Sequence, residues 1–144
     1  MNARTVARRA VLFGLAAVVL VYVVELLGGV AVGIKRQGAS QHHLVSVFRA
    51  LCEYHEAKGR WPGSLLDAAG CGLIGESWTV DPISHRPLLY HPEAEAGTNA
   101  ILLAQPEAVR IGLWPFVATR RLGVQADGEV VGLPAHDARV DEAK

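Results

Sequence analysis

Residues 10–34 read AVLFGLAAVVLVYVVELLGGVAVGI, twenty-five positions with a single charge, Glu25. At the α-helical rise such a stretch makes about 37 Å of helix, enough to cross a hydrocarbon core of about 30 Å with some tilt. Its first half is mainly Val, Leu and Ala, side chains suited to lipid. Arg4, Arg8, Arg9 and the amino terminus precede it, and Lys35 and Arg36 follow. The heavier basic flank predicts a cytoplasmic N-terminus, with the rest of the chain across the membrane. A cleaved signal peptide is the rival reading, with Ala31-Val32-Gly33 as its small-residue site. The apolar run exceeds the roughly 7–15 residues of a signal core, so an uncleaved signal anchor is expected. A carboxylate in mid-span costs about 3 kcal/mol on insertion scales. Glu25 is therefore expected either to meet another membrane helix or to sit protonated or close to the outer interface. Gly29 and Gly33 add a G-x-x-x-G spacing, which permits close helix approach. Glu25, Gly29 and Gly33 form the candidate membrane-helix interface.

Working outward, the charge of the chain divides unevenly. The 144 residues carry 14 basic and 14 acidic side chains. Residues 1–36 hold five basic and one acidic, for +4, whereas residues 37–144 hold nine basic and thirteen acidic, for −4. An acidic exported part repels phosphate backbones, so no nucleic-acid partner is expected. Two cysteines are too few for a zinc site built from Cys pairs.

Beyond Gln37 the pattern becomes amphipathic. Leu44, Val47, Phe48, Leu51, Cys52 and His55 recur at three- and four-residue steps, one face of a helix reaching about Lys58, with Gly59 as its cap. It either continues the membrane helix or breaks from it near Gly38. Trp61-Pro62-Gly63 predicts a turn, and Ser64 with Asp67 a near capping box for a short helix to about Ala69. Asp81-Pro82 starts another turn. Residues 88–91 and 99–104 read as strands. The runs 121–126 and 129–133 flank Asp127-Gly128, which predicts a hairpin with a two-residue loop. The expected fold is α+β, an N-terminal membrane helix followed by an amphipathic helix packed on a small antiparallel sheet. The divisions are a basic N-terminus at 1–9, a signal anchor at 10–34, an exported domain at 35–134 and a flexible tail at 135–144. Cys52 and Cys71 are the candidate disulfide. The competing reading is a helix-face residue and a loop thiol.

Several of these segments together resemble the type IV pilin and type II secretion pseudopilin superfamily. The similar features are the apolar helix running into an amphipathic one, then Tyr54-His55-Glu56-Ala57-Lys58-Gly59-Arg60-Trp61-Pro62, Asp81-Pro82 ahead of Pro87-Leu88-Leu89-Tyr90, and Ala126-Asp127-Gly128-Glu129-Val130. The resemblance implies a long helix carrying a small sheet, no enzymatic activity, and a place in a secretion or pilus-type assembly in the bacterial inner membrane. It also implies a periplasmic or extracellular domain whose partners are the membrane and other envelope proteins or copies of itself. The prepilin leader pattern is absent, because the fifth position after Gly14 is Val19 where the family has Glu.

No residue pattern points to catalysis. The six histidines show no metal-ligand pair at helical spacing, and no serine lies in a Gly-x-Ser-x-Gly elbow. No catalytic residue, metal or cofactor is expected. At least two of Trp61, Trp78 and Trp114 are expected to complete the core. Trp114 and Phe116 are the candidate partner surface. A module binding a ligand or peptide by strand addition is the alternative, and an envelope hydrolase using Asp81, His85 and His91 a more distant one.

Overall fold

A computed structural model describes residues 3–113, 115–137 and 140, with backbone alone for residues 3–10 and 116. The architecture is α+β, a long N-terminal helix followed by five antiparallel strands. Helix α1 spans Ala3–Lys58 without interruption, 56 residues and about 84 Å. The membrane segment and the amphipathic segment are thus one rod, and Gly38 does not break it. Gly59 ends it, its N–H donating to the His55 carbonyl at 2.7 Å.

Burial divides α1 into two halves. Every residue from Val11 to Glu25 is exposed. From Leu26 onward, positions 26, 30, 33, 37, 40, 44, 47 and 51 are buried or half-buried, at alternating steps of four and three. Steps of three and four residues keep one face of the helix toward a neighbour. The neighbour is the sheet.

After α1, Ser64 caps the short helix α2 (Leu65–Gly70) by accepting from the Asp67 N–H at 3.2 Å. A 3-10 turn follows at Glu76–Thr79. The strands are β1 (Leu89–Tyr90), β2 (Ile101–Ala104), β3 (Val109–Leu113), β4 (Phe116–Gln125) and β5 (Val130–Pro134). The ten residues of β4 form the spine. β2 and β3 lie end to end along one of its edges, β5 lies along the other, and β1 extends the sheet beyond β2.

Sequence reading missed β3 and the first half of β4. Between β2 and β3, Ala104 pairs with Gly123 and Val109 with Arg120, so residues 105–108 stand against only 121–122. Pro106 lies in this bulge and has no N–H to give. Gln105 bridges it from both ends. Its N–H donates to the Leu122 carbonyl at 2.9 Å, and its Oε1 accepts from the Leu122 N–H at 2.8 Å.

The β4–β5 hairpin forms where expected but with a three-residue loop. The Gly128 N–H donates to the Gln125 carbonyl, and the Gln125 N–H to the Glu129 carbonyl, both at 2.9 Å. A two-residue type I′ loop needs positive φ at both central residues, and Asp127 does not adopt it. Only Gly128 does, at φ +95°, which gives a type I turn closed by a glycine bulge.

The main core joins Leu44, Val47 and Leu51 of α1 to Leu65, Ala68, Leu88, Leu102, Leu103 and Val124. Ile101, Ala104, Leu133 and Val140 form a second cluster. All four residues of β2 are therefore buried. Val140 falls in the segment expected to be a flexible tail, yet it is 2% exposed. It packs in this cluster, against which Leu89 and Val131 also lie.

Candidate functional site

The feature that sets this chain apart is the bare half of α1. Phe13 is 75% exposed and Val18 67%, and no residue from 11 to 24 carries a charge. The helix that carries this segment contains an apolar window long enough to cross a membrane, by length and composition. Every residue from Val11 to Glu25 is exposed.

Glu25, Gly29 and Gly33 follow at four-residue steps, so they share one face of α1. The structure assigns the two glycines to an intrachain contact. A Cβ on Gly29 would lie 3.6 Å from Leu113 Cγ, and one on Gly33 would lie 3.0–3.2 Å from three side-chain atoms of Ile111. The close approach permitted by this spacing is made to β3 of the same chain rather than to a second membrane helix. Glu25 sits one turn nearer the N-terminus and is exposed. Trp114 and the side chain of Phe116 lie outside the described residues.

Asp81 fastens three segments together. Its Oδ2 accepts from the Ile83 N–H (3.2 Å), the Ser84 N–H (2.7 Å) and Ser84 Oγ (2.9 Å). Its Oδ1 accepts from Ser40 Oγ of α1 (3.1 Å) and Gln105 Nε2 (3.4 Å). Burial pushes this carboxyl up, but the bonds from Ser84, Gln105 and Ser40 outweigh it and hold it below the ordinary carboxylate range. Asp81 does start the turn expected of Asp-Pro. Its links to Ser40 and Gln105 were not foreseen, because they reach 41 and 24 residues along the chain. With both oxygens engaged, Asp81 positions α1 against the sheet.

The remaining candidates are dispersed. Cys52 is half-buried on α1, Cys71 is exposed at the end of α2, and both are free thiols. The loop they would have closed is held by other contacts. Trp61 Nε1 donates to the Ala94 carbonyl at 2.8 Å, and Tyr90 Oη donates to the Pro62 carbonyl at 2.8 Å. Trp61 is half-buried as expected of a core residue, but Trp78 is 36% exposed and stacks on His43 with ring centroids 4.8 Å apart.

His85 lies exposed in a turn at φ 55°, while His91 is 5% exposed, so the two do not share a strand face. His91 borders an open cleft of about 520 Å³ with Glu93, Glu95, Thr98 and Asn99, and its buried Nε2 has no hydrogen-bond partner. A second cleft of about 410 Å³ runs past Leu65, Leu66, Leu88 and Tyr90 beside β1. Among the described residues, no three His, Cys, Asp or Glu side chains are grouped to hold a metal ion. Compared with protein families, curated proteins and solved structures, the chain matches none.

Proposed function

We propose that this chain is a non-enzymatic, single-pass envelope protein of pilin or pseudopilin type, a subunit or accessory of a secretion or pilus-type assembly. Its N-terminus faces the cytoplasm and its α+β head the periplasm or exterior of a bacterial inner membrane. The observation that carries this reading is the division of α1. One unbroken helix is apolar and bare over residues 11–25 and seated on its own sheet over 26–51. A bare apolar rod needs lipid or the rods of neighbouring subunits around it. Glu25 is the charged residue of the bare half, and a carboxylate there favours a helix that offers it a partner.

Cysteine cross-linking in native membranes tests this. In a Cys52→Ser, Cys71→Ser background, Leu15→Cys or Val18→Cys is expected to yield disulfide-linked dimers on addition of a thiol oxidant. Glu25→Leu is expected to improve membrane insertion and weaken those cross-links. A chain that stays monomeric with both cysteines refutes assembly through the helix. The alternative, strand addition of a peptide, is favoured by the apolar cleft beside the short edge strand β1. In that case the head binds peptide while the helices stay apart.

A further inference from the structure

The membrane boundary on the side of the head can be located from α1. Twenty residues, 10–29, span about 30 Å, the thickness of a hydrocarbon core. Gly29 is also where Leu113, the last residue of β3, meets the helix. Gly33 meets Ile111. β3 therefore runs antiparallel along α1, two strand residues for each four helix residues, and the end of its hairpin reaches the hydrocarbon edge. The same register places Arg110 at the height of Lys35 and Arg36, and Val109 at that of Gln37. Arg120 pairs with Val109 and shares its height.

Lys35, Arg36, Arg110 and Arg120 thus stand at one level. All four are exposed, and none has a carboxylate partner among the described residues. No acidic residue occurs in 26–52 or in 108–126. The exported part is acidic as a whole, yet these four basic residues make a local basic band at the end that faces the membrane. Lys35 lies six residues beyond Gly29, about 9 Å along the axis. The headgroup layer occupies about 5–8 Å outside the hydrocarbon, within reach of extended Lys and Arg side chains.

We propose that Lys35, Arg36, Arg110 and Arg120 form a collar that binds the phosphates of anionic phospholipids in the leaflet from which α1 emerges. The end of the β3–β4 hairpin passes their headgroups and reaches the hydrocarbon edge. This rests on reading α1 as a membrane span. Unpaired charge calls for an anionic partner, and its height above the span selects lipid over a soluble one.

The test uses the full chain with Cys52→Ser and Cys71→Ser, reconstituted in phosphatidylcholine vesicles. The vesicles contain spin-labelled phosphatidylglycerol or, at equal mole fraction, spin-labelled phosphatidylcholine. A fluorophore is attached at Pro115→Cys in the hairpin end, Ala96→Cys in the distal loop, or Val18→Cys in the span. The Val18 probe is expected to be quenched equally by both lipids and the Ala96 probe by neither. The Pro115 probe is expected to be quenched severalfold more by the anionic lipid. Arg110→Gln and Arg120→Gln together are expected to reduce that preference sharply, each lowering anionic-lipid affinity about fivefold. Equal or absent quenching at Pro115, with Val18 still quenched, overturns the collar and leaves the span standing. Absence of quenching at Val18 overturns the span and the collar with it.

Discussion

Replacing Asp81 with alanine is expected to loosen α1 from the sheet. The carboxylate accepts five hydrogen bonds, and two of them, from Ser40 and Gln105, tie separate segments together. Ser40 and Gln105 are each 0% exposed, so without Asp81 both would bury donors that have lost this acceptor. Each such group costs about 1–3 kcal/mol, whereas the partly exposed Ile83 and Ser84 donors regain water. The loss is therefore roughly 3–4 kcal/mol, a large share of the 5–15 kcal/mol typical of a domain. For a head of this size it lowers Tm by about 12–30 °C. Tryptophan fluorescence during thermal unfolding in detergent follows the head, because all three tryptophans lie beyond α1. Asp81→Asn keeps one acceptor oxygen and is expected to fall between wild type and Asp81→Ala. The pH dependence has a fixed sign. The folded carboxyl titrates below its unfolded value of about 3.9, so its contribution is complete above that value and is lost as pH falls through the lower folded one. The stability gap between wild type and Asp81→Asn should stay constant from pH 7 to 5 and narrow only below about pH 4. A loss under about 1 kcal/mol for Asp81→Ala refutes the fastening role.

Other perturbations test the neighbouring contacts. Gly33→Leu crowds Ile111 and should weaken the α1–β3 seam by about 1–3 kcal/mol, read as faster amide exchange in residues 109–113. Gly28→Leu faces open space and should leave that exchange unchanged. Gly128→Ala places a Cβ in the left-handed region and 3.1 Å from Phe48 Cε1, and should lower stability by about 1–2 kcal/mol in urea titrations. Mass spectrometry after alkylation without reductant should find two free thiols. In the native chain Cys71 should react faster, because it is exposed whereas Cys52 is half-buried on α1, where burial and the Glu56 carboxylate push its thiol up. A chain with no alkylatable thiol refutes the unbonded pair.

The parts of this fold legible in the sequence were those written in local periodicity. The apolar run, the three-and-four spacing of Leu44, Val47 and Leu51, the Ser64 cap and the Asp-Gly hairpin each depend on residues a few positions apart. β3 was hidden because Arg110-Ile111-Gly112-Leu113 alternates weakly and Pro115 follows closely. Gly29 and Gly33 were read by the rule for paired membrane helices. The surface that fills their groove lies some eighty residues downstream, where no local pattern names it. The Asp81 network was hidden for the same reason. Asp-Pro announces its turn, but nothing in the sequence pairs Ser40 with Gln105. The hairpin loop differed by one residue because Asp127 keeps negative φ.

The uninterrupted α1 also has a mechanical consequence. A tether joined to its head by a flexible linker absorbs a pull as slack before any load reaches the anchor. Here there is no linker, and the contacts between helix and sheet are strung along the axis from Gly29 to Leu51. A force on the distal hairpin therefore loads that whole line in shear, so its contacts resist together instead of peeling one at a time. A load along the helix axis is therefore shared among all of these contacts.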